Sequence, residues 1–300
     1  MRQYLARHLR IYLRWLAQKY VALVEFGNKN RIRLPAGYNA PIDVLVDSQL
    51  RGEAIVAGQS WVDTTRPASS NDFWGNIKTG YLATKRYSPT QFNNLDIEHE
   101  LNCLAALVRV ASASKIRFCT CASLDSERIT QKRGRYQLIT WAGVDLFSNT
   151  EFHNIQSEYD VQINVKTFKS LFKGIRDDYS NRRDAKLLPT YDSDPDYNAL
   201  LNVVKGRKKK LDVLHLLLAH KSNCPFFITL DGPLLSDFKE HGSNSSLSWF
   251  KTRVLKPSAL ADLLKIRPLK IDHLIQSEEN WPSTHGSQSR SSNINKRAKS

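Results

Sequence analysis

Short apolar runs that stop on a carboxylate recur along this chain. Ile42-Asp43-Val44-Leu45-Val46 runs into Asp47, and Ile116-Arg117-Phe118-Cys119-Thr120-Cys121 runs into Asp125 and Glu127. Phe226-Phe227-Ile228-Thr229-Leu230 runs into Asp231, and Asp212 opens the apolar stretch Val213-Leu214-His215-Leu216-Leu217-Leu218. Runs this short and this apolar suit strands buried on both faces, which is the habit of parallel sheets covered by helices. The alternation of such strands with helical stripes predicts an α/β fold. In an open parallel sheet the carboxyl ends of the strands share one edge, where ligands bind. Acids gathered at that edge repel one another unless a cation sits among them. A divalent-metal site is therefore the first expectation.

With 300 residues, the chain can bury a full core. A hydrophobic fraction of 41% and an aromatic fraction of 10% mark a globular protein. The formal net charge of +15 favours capture of a polyanion. Nucleic acid is the first expectation, and anionic lipid is its rival. Cys103, Cys119, Cys121 and Cys224 form no CxxC pair and accompany no finger-spaced His pair. By spacing alone they argue against a zinc site and read as small buried hydrophobes in a reducing setting. No integral membrane segment and no signal-peptide core are read from the sequence, and a cytoplasmic location is expected.

Leu5, Leu9, Tyr12, Leu16, Tyr20 and Leu23 fall at helical spacing and predict an amphipathic helix over 3–24, ended by Gly27 and Asn28. A helix packed on the body with solvated arginines is expected ahead of one lying on a membrane. Residues 1–38 form this helix and a basic linker, 39–270 the main domain, and 271–300 a polar, disordered tail. Gly58 to Thr90 reads as loops and short helices. Leu101, Leu104, Leu107, Val108 and Ala111 mark a helix. The segment 135–207 reads as an insertion, with strands at Tyr136–Trp141 and Val161–Val165, a helical stripe from Phe168 to Ile175, and an exposed loop from Asp177 to Asp196. A helix is expected near Leu234–Glu240 and a short strand at Val254–Lys256. Ser258 is expected to cap a final helix toward Ile266.

The chemistry left open by these motifs is narrow. There is no Walker loop, no GxSxG elbow and no cysteine with a convincing His partner. Carboxylates on Mg²⁺ or Mn²⁺ can hydrolyse a phosphodiester without a nucleophilic side chain. Each acid also has a plain role as a turn former or helix cap. Lys166, Lys169, Lys173, Arg176, Arg182, Arg183, Arg207, Lys208, Lys209 and Lys210 are expected to contact phosphates, which positions a strand without reading its bases. Trp61, Trp74 and Trp141 could stack on bases, although packing is the commoner role of tryptophan.

Several of these segments resemble the PIN-domain nucleases. Val44-Leu45-Val46-Asp47-Ser48 is similar to their opening strand, with Gln49 where the family usually has Asn. Asp212-Val213-Leu214-His215 looks like the family's Asp-x-x-His helix, and Pro225 to Asp231 like the strand that delivers its last Asp. Val254 to Ser258, followed by an apolar helix, resembles the usual ending. The resemblance implies a Rossmann-like three-layer α/β/α fold with a mainly parallel sheet whose middle strand carries Asp47. It further implies a metal-dependent hydrolase, most often a ribonuclease, with Asp47, Glu127, Asp212 and Asp231 as catalytic metal ligands for magnesium or manganese. Asp125 is the runner-up to Glu127. Asp43 lies too far back along its strand to join them. Ser48 and Thr229 could hold a ligand water or a carboxylate, although such hydroxyls more often only satisfy backbone groups. His215 is expected to be a packed, hydrogen-bonded core histidine rather than a ligand. A homodimer and an antitoxin-like protein partner are further expectations from the family. An alternative is a PIN-like nucleic-acid-binding protein with weak or no catalysis.

Overall fold

The computed structural model describes residues 2–63, 80–86, 95–111, 115–121, 123–125, 144–155, 194–204, 210–241 and 247–277. In chain order its elements are α1 (Arg2–Arg31), β1 (Ile42–Val46), α2 (Ser48–Glu53), β2 (Ile55–Asp63), β3 (Gly80–Arg86), α3 (Leu95–Ala111), β4 (Ile116–Thr120), β5 (Val144–Asp145) and β6 (His153–Asn154). There follow α4 (Pro195–Val203), α5 (Lys210–Lys221), β7 (Phe226–Ile228), α6 (Gly232–His241), β8 (Arg253–Leu255), α7 (Pro257–Leu263) and α8 (Ile271–Ser277).

The central sheet has five strands in the order β6-β4-β1-β7-β8. Every described pairing in it is parallel. β1 is the middle strand, as expected. Its alternation sorts two cores. Ile42, Val44, Val46, Phe118, Phe226 and Ile228 face one layer, filled by α3, α7, α8 and the second half of α1. Leu45, Cys119, Cys121 and Phe227 face the other, filled by Tyr197 and Leu200 of α4 and by Val213, Leu216 and Leu217 of α5. Both sides of β1 are thus dry, and the result is a three-layer α/β arrangement. Phe118 packs edge-on to Phe147 at 5.4 Å, in a geometry that aromatic rings prefer.

The helix ends follow local chemistry. Asp212 in the first turn of α5, and His220 and Lys221 in its last, match the helix dipole. Asn223 at φ 56 ends the helix, with Cys224 N–H donating to Ala219 O and Asn223 N–H to His220 O. Lys265 at φ 61 ends α7 in the same manner, with Ile266 N–H donating to Ala261 O.

Five expectations are corrected. α1 does not stop at Gly27 and Asn28 but continues to Arg31. The Asn28 side chain donates to Arg267 O and accepts from Arg267 N–H, both at 2.9 Å, so a tertiary clasp replaces the local stop signal. Much of 58–90, expected as loops and short helices, is an antiparallel pair in which Trp61 faces Leu82 and Gln59 faces Thr84. Its pairing spans a long connection, which hides it from any local window. Parts of the expected insertion belong to the fold: β6 edges the central sheet, and α4 covers it, with Asp194 capping and Asp196 in the first turn of a helix where a loop was expected. Ser258 does not cap α7. Lys256 holds that position, and Ser258 gives its N–H and hydroxyl to Glu100 of α3 at 2.8 and 2.7 Å. Ile271–Ser277 is a helix, not part of a disordered tail, because Ile271, Leu274 and Ile275 bury themselves in the first core. The expected strands at 136–141 and 161–165 and the stripe at 168–175 lie outside the described residues.

Candidate functional site

The chain leaves β1 first toward β4 and β6, then returns to add β7 and β8 on the other side. In doubly wound sheets the usual ligand position lies at the carboxyl ends of the strands that flank such a reversal, here β1 and β7. Asp47 and Asp231 follow these two strands.

Asp47 is 8% exposed. It caps α2, accepting the Gln49 N–H at 3.3 Å, and the Ser48 hydroxyl lies at 3.5 Å. Its other oxygen accepts a 2.6 Å hydrogen bond from the Thr229 hydroxyl. The same Thr229 oxygen accepts the Asp231 N–H at 2.9 Å. One fully buried hydroxyl therefore links the ends of the two strands. Hydrogen bonds to a charged group contribute about 1.5–3 kcal/mol each, so this link fixes the Asp47 carboxylate firmly. Asp231 caps α6 by accepting the Leu234 N–H at 3.0 Å. Thr229 thus holds a carboxylate and also satisfies a backbone N–H, the second being the role expected ahead of the first.

β7 runs parallel to β1 and follows α5. α5 must therefore run back across the sheet, and its first turn, with Asp212, lies toward this same edge. Asp212 is half-buried. His215, one turn on, is 1% exposed, as expected of a packed core histidine.

Arg51 was not anticipated. It lies on α2 one turn after Asp47, and its guanidinium donates to Asp125 Oδ1 at 2.6 Å and to Thr120 Oγ1 at 3.0 Å. The group stands 4.1 Å from the Phe152 ring centroid and its side chain is 7% exposed, against 44% for Asp125. The available signal was an Arg at helical spacing from Asp47, which puts both on one face. Asp125 thus has an arginine and a threonine hydroxyl as its partners. Glu127 lies outside the described residues, as do Trp74, Trp141, Lys166, Lys169, Lys173, Arg176, Arg182, Arg183, Arg207, Lys208 and Lys209. Lys210 opens α5.

At the opposite edge, Asp43, Cys119 and Cys224 bring three ligand atoms within 4.8 Å of one another. Among the described residues no other such group of His, Cys, Asp and Glu forms, so Asp47, Asp212 and Asp231 do not make one. Two sulfurs and a carboxylate could hold a metal ion, and such a set suits a softer ion than Mg²⁺. Both Asp43 oxygens are taken by Arg117, at 2.5 and 2.7 Å. The Cys224 thiol is pushed up by its hydrogen bond with Cys119 and by burial, so the thiol form is favoured. A metal there would displace thiol protons and the arginine. Spacing rules missed this group because the cysteines are far apart in sequence. Burial likewise raises Cys103, to about 12.

Comparison of the chain with protein-family models, with curated proteins and with solved structures gives no match.

Proposed function

We propose that this protein is a metal-dependent nuclease of PIN-like type, acting on phosphodiester bonds, with RNA as its first substrate class. The observation that supports the reading is the Thr229 link, which ties the buried Asp47 carboxylate to the main chain at Asp231, past the ends of β1 and β7. The net charge of +15 supports a polyanionic substrate.

Asp47, Asp212 and Asp231 would have to close around an ion to hold it; their oxygens are of the hard type that Mg²⁺ or Mn²⁺ prefers, and Glu127 would complete the set by sequence. When bound, such an ion polarises a phosphodiester and lowers the pKa of a water. The chain's own contribution is positional. Thr229 and the Gln49 N–H orient the Asp47 carboxylate, and the Arg51–Asp125 pair buttresses α2 behind it. The basic stretches from Lys166 to Arg176 and Arg207 to Lys210 retain a polynucleotide by its phosphates.

A second reading, a PIN-like nucleic-acid-binding protein without strong catalysis, is favoured by the same Arg51–Asp125 pair, because an arginine there offsets an acid that could otherwise assist an ion. Labelled RNA and DNA incubated with Mn²⁺ or EDTA separate the two. Metal-dependent cleavage that Asp47→Asn abolishes is the expected result. Binding without cleavage by wild type and variant alike supports the second reading, and neither binding nor cleavage overturns both.

A further inference from the structure

α1 faces the body with one arc only. Ala17, Val21 and Asn28 are buried, Tyr20 meets His273 with ring centroids 4.3 Å apart, and the Gln18 amide reaches Ser277 O. Much of the opposite side is apolar and exposed. Leu9, Ile11, Tyr12, Leu13, Trp15, Leu16, Leu23 and Phe26 are between 40% and 70% accessible. At about 100° per residue, Ile11, Trp15, Phe26, Tyr12, Leu23, Leu16 and Leu9 form one continuous stripe roughly 26 Å long. Monomeric proteins leave such large contiguous patches bare only where something docks.

The charge on the helix decides what docks. Arg2, Arg7, Arg10, Arg14, Lys19, Lys29 and Arg31 stand against one acid, Glu25, which is already paired with Lys29 at 2.8 Å. A second copy of this helix would meet it with the same sign of charge. An anionic surface would not. Lys19 is the one charge within the stripe, and its ammonium lies 5.7 Å from the Trp15 ring centroid. A long stem lets that ammonium rise to a headgroup while the apolar face sinks. Trp15 and Tyr12, stacked at 6.1 Å, are residues that favour the boundary between water and hydrocarbon. Among the described residues no helix is long and apolar enough to cross a membrane, so a helix of this kind lies in the interface rather than through it.

We infer that α1 binds the surface of an anionic lipid bilayer through the stripe from Leu9 to Phe26. The inference is independent of the nuclease reading. The test is flotation of the full chain with vesicles of phosphatidylcholine alone or mixed with phosphatidylglycerol. The expected result is partition onto the anionic vesicles only, reduced by salt, and lowered at least roughly tenfold by the double change Ile11→Glu, Leu23→Glu. Both positions are exposed, so circular dichroism and the melting transition stay as in wild type. If the double variant loses that transition, Trp15→Ser carries the test, with a smaller loss of partition expected. Absence of partition, or partition that neither variant lowers, overturns the inference. A dimer by light scattering that the variant dissolves, without vesicle binding, replaces it with self-association.

Discussion

β1 carries one aspartate near its start and is followed directly by another, and the two have different surroundings. Asp43, toward the amino edge, is gripped on both oxygens by Arg117 in an exposed pair, with side chains 20% and 42% accessible. Asp47, at the carboxyl edge, is buried and held by hydroxyl and N–H donors. An arginine cancels a carboxylate's charge. A hydroxyl and an N–H fix the orientation of a carboxylate. The same residue type is thus a surface tie near the head of β1 and a buried, oriented side chain just past its end.

The largest expected effect comes from exchanging the two carboxylates for amides. Asp47→Asn keeps an N-cap side chain and hence the fold, and lowers metal-dependent RNA cleavage by roughly a hundredfold or more. Asp43→Asn leaves cleavage within about twofold of wild type. Equal rates for both variants, read by gel assay beside their urea melts, remove the distinction. Next comes Arg51→Gln, which strips the charge partner from Asp125 and leaves Thr120 with a lost donor. Because Asp125 is 44% exposed, the cost is expected near about 2 kcal/mol rather than the full value of a buried pair, measured by urea unfolding. Arg117→Gln, in the more exposed pair with Asp43, is expected to cost under about 1 kcal/mol by the same measurement. A larger loss for Arg117 than for Arg51 inverts the picture.

The smallest effect is a pH slope. His220 packs against Trp249 and Phe250, and its burial holds it below the ordinary 6.5. The native state then binds fewer protons than the unfolded state. Its contribution to stability is present above the unfolded value and is lost as pH falls through 6.5 toward the native value. A modest drop in melting temperature on acidification is expected, and it flattens in His220→Phe.

Much of the central sheet was legible because its strands are short apolar runs with a local signature. β1, β4, β7 and β8, and the helices α3, α5 and α6, emerge where periodicity placed them, and β1 lies in the middle of the sheet, as the resemblance implied. The hairpin of β2 and β3 was not, because its strands are defined by each other across a long connection. Nor was the cap of α7, where a glutamate from a distant helix does what Ser258 was expected to do. The end of α1 misled for a similar reason: Asn28 is a stop signal only until Arg267 occupies its amide. At the candidate site, the positions of Asp47, Asp212 and Asp231 at element ends were readable. The partners of those acids were not.

Local apolar patterning by itself determined where strands stop, and therefore which carboxylates lie at a strand's end rather than within it. The tertiary structure alone decided which of them meet an arginine and which a hydroxyl. Thr229 reaches Asp47 across 182 positions of sequence, and Arg117 reaches Asp43 across 74. The physical reason is that a carboxylate's character is set by the donors within a few ångströms of its oxygens, and in a parallel sheet those donors come from neighbouring strands far away along the chain.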